Sequence, residues 1–557
     1  MGKIGIHFGH DSTIAYSPYP GVYRSYELER FTKKRYFALD AYGLFTTKKY
    51  DPNTTKEIFL AIKDQIVKEF GEEYLKIDSV TYDQKYPEVN QPFDDTGELV
   101  HDNIFKLLRE TFVIEESVPL QARCHHTLHS YSAFFQSPFE EAFVISFDGG
   151  GLTEHEEFAQ YFTGYYMTRK GLKRQLFTRQ VHLCSLYNAF PYLCKDIRGN
   201  INSTPGKAMG LSGYGEWDDK LYRKLEPLFN SQDWITTHVN RENGTGWVDN
   251  EYLYDVVKET FGLKDKKQLL EFDNAATFLA TVQVLFEDTF LKHIKPHAYK
   301  LNLPIVITGG GALNVLNNCR VKNEIGLPVY IPCNPNDTGT AIGGIFEKDL
   351  PNEQIDLRFC NWDLFDRENL FQYVDDRKGK KYNHQEVAGL IREGKIIGVV
   401  RGRSECGPRA LGNRSIICDP SFPNMKDILN SKVKHREWYR PFAPMVLQED
   451  AKEYFAWDDA QAPNMSFACL VKSKEQERLS SITHADYTAR IQTINQKDNP
   501  WYYDLLKEMK STGPSVILNT SFNILGKPIL NSIEDAFYVL DNTELDYLII
   551  EDYIFSK

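Results

Sequence analysis

Two histidines four residues apart, His125 and His129, lie in the segment ARCHHTLHSYSAFF. Positions i and i+4 share one face of a helix, so both imidazoles can point at one ion. That spacing is a familiar way to hold a divalent transition metal. A polar helix face that binds nothing shows the same pattern, and for an isolated pair it is the commoner case. Two acids elsewhere shift the balance. Asp148 closes the apolar run AFVISFD and precedes Gly149, Gly150 and Gly151, while Asp337 stands in CNPNDTGTAIGG ahead of Gly339, Gly343 and Gly344. A strand-end aspartate with a glycine loop can hold a cation while backbone amides approach phosphate oxygens. Gly309, Gly310 and Gly311, between PIVIT and Asn314, form a third loop of this kind. Each feature alone is weak. Together they suit a nucleotide with a metal on its phosphates, and a set of two His and two Asp accepts iron, manganese or zinc.

The second half of the chain offers the opposite charge. GRSECGPRALGNRSIICDP sets Arg403, Arg409 and Arg414 among glycines, and NSKVKHREWYRPFAPMV carries Lys434, Arg436 and Arg440. Further on come Arg490 in TARIQTI and Asn519, Ser521 and Asn523 in VILNTSFNILGKPI. Guanidinium forks match phosphate oxygens, so these segments suit a polyphosphate. Charge runs are usually solvated faces. Here the cations interleave with Gly, Pro, Trp and Phe, in a chain whose 65 Lys+Arg against 77 Asp+Glu leave a net charge of −12.

These residues must be positioned by strands that run into loops. KIGIHFGHDS, AFVISFDGGG and PIVITGGGALN each read as a short apolar strand entering a glycine turn, with helices expected over Thr54 to Phe70, Leu120 to Gln136 and Asp273 to Ile294. A later helix from about Asn383 feeds the strand IIGVV. Alternating strands and helices predict an α/β fold class. A polar, basic stretch from Leu350 to Lys381 predicts a boundary, giving domains over 1–355 and 356–557. The acidic stretch from Ser231 to Asn250 is expected to be a surface excursion.

Composition narrows the class. The 557 residues are 42% hydrophobic and 25% charged, which excludes disorder or a collagen-like repeat for the whole chain. The acidic balance excludes a wholesale basic coat for nucleic acid. The nine cysteines form no CxxC and are odd in number, which fits reduced thiols. No apolar run is long enough for a membrane span, and a strand pattern begins at Lys3 without a leader segment. A cytoplasmic protein without a membrane partner is expected.

GHDS, HHxxH, DGGG, GGGALN and NDTG, in that order, resemble the actin-like ATPase superfamily (ASKHA), and within it the branch that makes threonylcarbamoyl adenosine in tRNA. GPRALGNRSI, RPFAP, TARIQT and LNTSFN resemble the O-carbamoyltransferases of nodulation factors, aminoglycosides, ansamycins and cephem antibiotics. That resemblance runs along nearly the whole chain. It implies an N-terminal actin-like domain and a C-terminal α/β YrdC-like domain. It further implies that ATP and carbamoyl phosphate become carbamoyl adenylate in the C-terminal domain, and that the carbamoyl group passes to an acceptor hydroxyl at the N-terminal metal site. The implied metal ligands are His125, His129, Asp148 and Asp337, with His126 a neighbour, and the implied metal is Fe2+ or another divalent transition ion. Arg409, Lys434, Arg440, Arg490, Ser521 and Asn523 fall in the activation site, with Mg2+ a helper at the triphosphate. Gly149, Gly150, Gly309, Gly310, Gly311 and Asn314 fall on the nucleotide loops.

His10 and Asp11 are candidates for deprotonating or orienting the acceptor, although His10 suits a turn-stabilising role equally. Lys33 or Lys34 is expected to line the acceptor pocket. The chain departs from the family pattern at Pro205, in TPGKAMGLSGYG, where an acid is usual, and at Arg401 and Cys406, where Gln and Phe are expected. The acceptor stays open: a small molecule, a nucleotide, or hydroxymethylcytosine in DNA, which the basic run RFTKKR could meet. A tRNA threonylcarbamoyl transferase and a non-catalytic nucleotide sensor remain as other readings. A homodimer is left open.

Overall fold

The computed structural model describes residues 2–40, 50–83, 99–151, 160–197, 201–230, 251–265, 268–458, 461–523 and 526–557. The stretch 231–250, expected to be a surface excursion, lies outside them. The chain forms two compact units of mixed α/β structure. The first comprises 1–10, 38–56 and 76–355, and the second 11–37, 57–75 and 356–557. The segments 11–37 and 57–75 join the second unit, whereas the sequence reading placed them in the first domain.

The first unit holds its chemistry at strand ends. The strand Gly2–His7 runs parallel to Lys76–Asp83, with Ile6 opposite Tyr82, so His7 and Asp83 close adjacent strands at the same edge. Lys76–Asp83 also pairs in parallel with Leu120–Arg123, with Asp83 opposite Arg123. The helix His125–Gln136 follows two residues later. The segment expected to be one helix from Leu120 is therefore a strand, then a helix. Parallel pairing with Lys76–Asp83 overrides local propensity there. A second sheet joins Ile305–Thr308 in parallel to Glu141–Gly151, with Thr308 opposite Ser146. Asp148 and Gly310 thus stand level, each two residues beyond that pair.

Small residues let these elements close. A Cβ at Gly343, in the helix Thr340–Asp349, would collide with the Leu128 carbonyl of the histidine helix. Glycine at 343 is what lets the two backbones touch and brings Asp337, just ahead of that helix, to the histidines. Pro205 sits in the first turn of the helix Thr204–Ser212, where no intrahelical N–H is needed.

The second unit is built on a nine-stranded mixed sheet among the described residues. Its centre runs Ile397–Val400, Arg414–Cys418, Val516–Ser521, Ala443–Leu447 and Thr488–Ile494. The helices His384–Arg392 and Pro500–Lys510 cover one face through Val387, Ile391, Leu505 and Met509, which pack on Val399, Ile417, Met445 and Ile517. Fully buried aliphatic side chains of this size contribute about 1.5–3 kcal/mol each relative to exposure. That packing makes the strand ends a rigid platform for the loops that leave them.

Candidate functional site

In the first unit, one ligand atom from each of His125, His129, Asp148 and Asp337 lies within 4.8 Å of every other. His125 Nε2 and His129 Nε2 are 3.1 Å apart, and His129 Nε2 lies 3.4 Å from both Asp148 Oδ2 and Asp337 Oδ1. All four sequence-expected ligands are brought together. Two imidazole nitrogens facing each other between two carboxylates is a donor set in want of a cation. The titration behaviour agrees. Burial lowers the pKa of His129, but hydrogen bonds to Asp148 and Asp337 outweigh it and raise the value to about 9. Burial would raise the pKa of Asp337, yet His10, His125, His129 and His7 hold it well below the usual carboxylate range. Without a metal, protons on the histidines balance the acids. A divalent ion would take their place. The residues therefore fit such an ion.

Two residues outside the sequence-expected set complete the geometry. His125 Nδ1 and His7 Nδ1 each lie 2.7 Å from Asp83 Oδ2. His7 Nε2 lies 3.0 Å from the His10 carbonyl. His10 itself is half-exposed, with Nε2 3.5 Å from Asp337 Oδ2. Asp11, its sequence neighbour, belongs to the second unit. His126 is buried with neither ring nitrogen hydrogen-bonded among the described residues. Burial and the two neighbouring imidazoles push its pKa down to about 3, so it stays neutral.

The glycine loops serve the aspartate. The amides of Gly149 and Gly310 donate to the two oxygens of Asp148, each at 2.5 Å. The Gly309 amide donates to the Pro335 carbonyl at 2.8 Å. Gly309 has φ +89°, and a Cβ there would strike the Phe147 carbonyl. Gly150 has φ +148°. Asn314 caps the helix Val315–Ile325 through Asn317 N at 3.1 Å and exchanges hydrogen bonds with Gln283. These contacts orient Asp148 and fix the loop.

The second unit gathers Arg409, Lys434, Arg436, Arg440 and Arg490. Burial lowers the pKa of Arg490 well below its usual value, and Arg409, Arg436 and Arg440 lower it further. Burial and then Arg440 lower Arg409 to about 10. Burial, Arg436, Arg440 and Arg35 lower Lys434 well below its usual value. Among the described residues one carboxylate, Glu437, stands close, 3.6 Å from Arg440 Nη1. Arg490 Nε is buried without a hydrogen-bond partner. Like charges driven together this way are a site shaped for an anion.

Support within that cluster is specific. Lys434 is 5% exposed, and its ammonium donates to the Ser521 carbonyl at 2.7 Å, to Ser521 Oγ at 3.3 Å, and to the carbonyl and side-chain oxygens of Asn523. An ammonium has three donors, so Ser521 and Asn523 saturate it. Arg436, named in the sequence but given no role there, donates Nε to Asn430 Oδ1 at 2.8 Å and lies 4.4 Å over the Phe442 ring. Its signal was its place in the same HREWYR run as Arg440.

The loop arginines divide. Arg414 is fully buried and donates to the Arg401, Gly402 and Asn413 carbonyls, so it is a structural cross-link. Arg403 pairs with Glu69 at 3.0 Å. Arg409 alone of the three faces the cation cluster. Glu405 explains the loop: its Oε1 accepts the consecutive amides of residues 411 to 414 at 2.9–3.1 Å. The basic run RFTKKR is also engaged within this unit. Arg30 is buried against Glu27 at 2.8 Å, and Lys33 pairs with Asp535 at 2.9 Å. Arg35 Nη2 donates to the Tyr36 hydroxyl at 2.8 Å. Lys34 is exposed.

Comparison with known proteins follows the same two-part division. A family model described as Carbamoyltransferase N-terminus matches residues 3–346, and one described as Carbamoyltransferase C-terminus matches residues 388–557. The chain belongs to the carbamoyltransferase family. It is 30% identical over 457 residues to nodulation protein NolO of Bradyrhizobium diazoefficiens, covering 78% of each chain. It is 31% identical over 492 residues to the uncharacterized protein sll1178 of Synechocystis, covering 79% of this chain and 76% of that one. A 3'-hydroxymethylcephem-O-carbamoyltransferase of Amycolatopsis lactamdurans is 30% identical over 259 residues, 45% of this chain and 48% of that enzyme. Among solved structures, a full-length HypF in the phosphate- and nucleotide-bound form aligns over 63% of this chain and 56% of that chain at 13% identity, with a TM-score of 0.31.

The nine cysteines of this carbamoyltransferase stand as free thiols in the structure. Among its described residues no helix is long and apolar enough to cross a membrane. As a carbamoyltransferase it is an enzyme that needs a carbamoyl donor and a hydroxyl acceptor.

Proposed function

We propose that the chain is an ATP-dependent O-carbamoyltransferase that works in two steps at its two sites. In the second unit, water cleaves carbamoyl phosphate to carbamate and phosphate. A carbamate oxygen then attacks the α-phosphorus of ATP, pyrophosphate leaves, and carbamoyl adenylate remains. In the first unit, the oxygen of an acceptor hydroxyl attacks the carbamoyl carbon. The bond from that carbon to the phosphate oxygen breaks, AMP leaves, and the hydroxyl proton passes to His10. On this reading the first unit is actin-like and the second YrdC-like.

One observation carries the proposal: the second site is crowded with cations, while the first sets facing imidazoles between carboxylates. The second has five crowded cations and one nearby carboxylate, which suits a triphosphate and departing pyrophosphate. Arg409, Arg440 and Arg490 bind the phosphates there, with Mg2+ a helper. Lys434 orients Ser521 and Asn523 toward the same anion. The first site sets a pair of facing imidazoles between two carboxylates, which suits a cation. When bound to His125, His129, Asp148 and Asp337, an Fe2+ or similar divalent ion would supply Lewis-acid stabilisation of the phosphate charge on the leaving AMP. Asp337 holds His10 beside the quartet, where its ring can accept the acceptor's proton.

The test is pyrophosphate release from ATP that depends on carbamoyl phosphate, followed by screening hydroxyl compounds for carbamoylated product. Dependence on both substrates is the expected result. Carbamoylation of an acceptor without any ATP turnover would overturn the activation step.

A further inference from the structure

We propose that Asp83 and His7 are positioning residues that set the direction of His125 and tie it to the turn carrying His10. The inference rests on the reading of His125, His129, Asp148 and Asp337 as a metal site. The geometry is local and closed. Asp83 Oδ2 accepts from His125 Nδ1 and from His7 Nδ1, both at 2.7 Å, and all three residues are buried. A carboxylate on Nδ1 keeps hydrogen on that nitrogen and leaves the Nε2 lone pair to face the other ligands. His125 Nε2 indeed points inward, 3.1 Å from His129 Nε2 and 3.5 Å from Asp337 Oδ1.

His7 adds a second constraint. Its Nδ1 faces the Asp83 carboxylate and its Nε2 faces the His10 carbonyl at 3.0 Å. Both partners are acceptors, so the ring is held between them through its two nitrogens. One carboxylate therefore holds the metal-facing histidine on one side and, through His7, the carbonyl of His10 on the other. His10 then stands with Nε2 3.5 Å from Asp337 Oδ2. The device depends on the parallel register that sets His7 beside Asp83 at the ends of adjacent strands.

The experiment measures Co2+ binding by the full chain, through the absorption bands of the bound ion and metal stoichiometry, in wild type, Asp83→Asn, His7→Gln and His125→Ala. Melting curves of the metal-free proteins show that each variant folds. The expected result is one ion in the wild type, none in His125→Ala, and affinity about 10–100-fold weaker in Asp83→Asn. His7→Gln is expected to weaken binding by less, and to lower carbamoyl transfer by more than its loss of metal explains, because the His10 carbonyl is released. Wild-type affinity in a folded Asp83→Asn, with loss in His125→Ala, overturns this inference and leaves the metal site standing. If Asp83→Asn does not fold, His7→Gln decides: unchanged affinity and unchanged transfer overturn the inference. A wild type that binds no more Co2+ than His125→Ala overturns the metal reading itself.

Discussion

The two sites differ in how their charges are held. At the first site each carboxylate has an oppositely inclined partner: Asp83 has two imidazoles, Asp148 has two amides and His129, and Asp337 has His125 and His129. In the second unit Arg409, Arg436 and Arg440 add to burial in lowering the pKa of Arg490, and Arg440 does the same to Arg436. A ligand to the first replaces protons. A ligand to the second relieves repulsion. The difference teaches where each site's missing partner is written: in facing donor atoms in one case, in uncompensated charge in the other.

The largest expected effect breaks the comparison at Arg490. Arg490→Ala should lower pyrophosphate release by about 100-fold or more, the range seen when a charge-stabilising donor is removed, while Co2+ binding stays as in the wild type. Equal loss of both would mean that the two sites are not separate. The same side chain sharpens the comparison through stability. Replacing it with Met removes a buried, repelled cation, so the ligand-free protein should melt about 2–4 °C higher, and ATP should no longer raise that temperature. A lower melting point without ligand would show that Arg490 is compensated after all.

The first site should respond to pH in the opposite way. In the metal-free state His129 keeps its proton up to about pH 9. Metal must displace that proton, so affinity should climb as pH rises from about 6.5 toward 9, by up to about tenfold per unit for each proton displaced. The stability sign follows. A histidine with a raised folded pKa stabilises fully below its unfolded value of about 6.5, and that contribution is lost as pH rises through about 9. Metal-free protein should therefore lose stability over this window and metal-loaded protein should not. Identical denaturation midpoints for the two across the window would contradict it.

The smallest effect belongs to a residue the sequence offered as an acceptor contact. Lys33 is half-exposed and paired with Asp535. Lys33→Ala should change stability by less than about 1 kcal/mol and transfer rate by less than twofold, read from urea midpoints and product formation.

The quartet was legible because its signals are local. An i, i+4 histidine pair and an aspartate ahead of glycines can each be read within a dozen residues. His7 and Asp83 were not, because they meet through parallel pairing of strands far apart in the chain. Asp83 does close a strand, as Asp148 does near its own strand's end, and that pattern was the available signal. In the second unit the motifs named the right neighbourhood, but charge in a glycine-rich loop says nothing about direction. Arg414 turns inward to carbonyls and Arg403 to Glu69, while Arg409 joins the cluster. Arg30 looked like part of a basic face and is buried on Glu27. The placement of 11–37 in the second unit was equally hidden, since it depends on contacts such as Arg30 to the Gly407 carbonyl at 3.0 Å.

The most direct test follows both products in one reaction of His129→Ala with ATP, carbamoyl phosphate and an acceptor that the wild type accepts. Pyrophosphate release close to the wild-type rate with almost no carbamoylated acceptor is the result this account requires. Loss of pyrophosphate and product in the same proportion would contradict it.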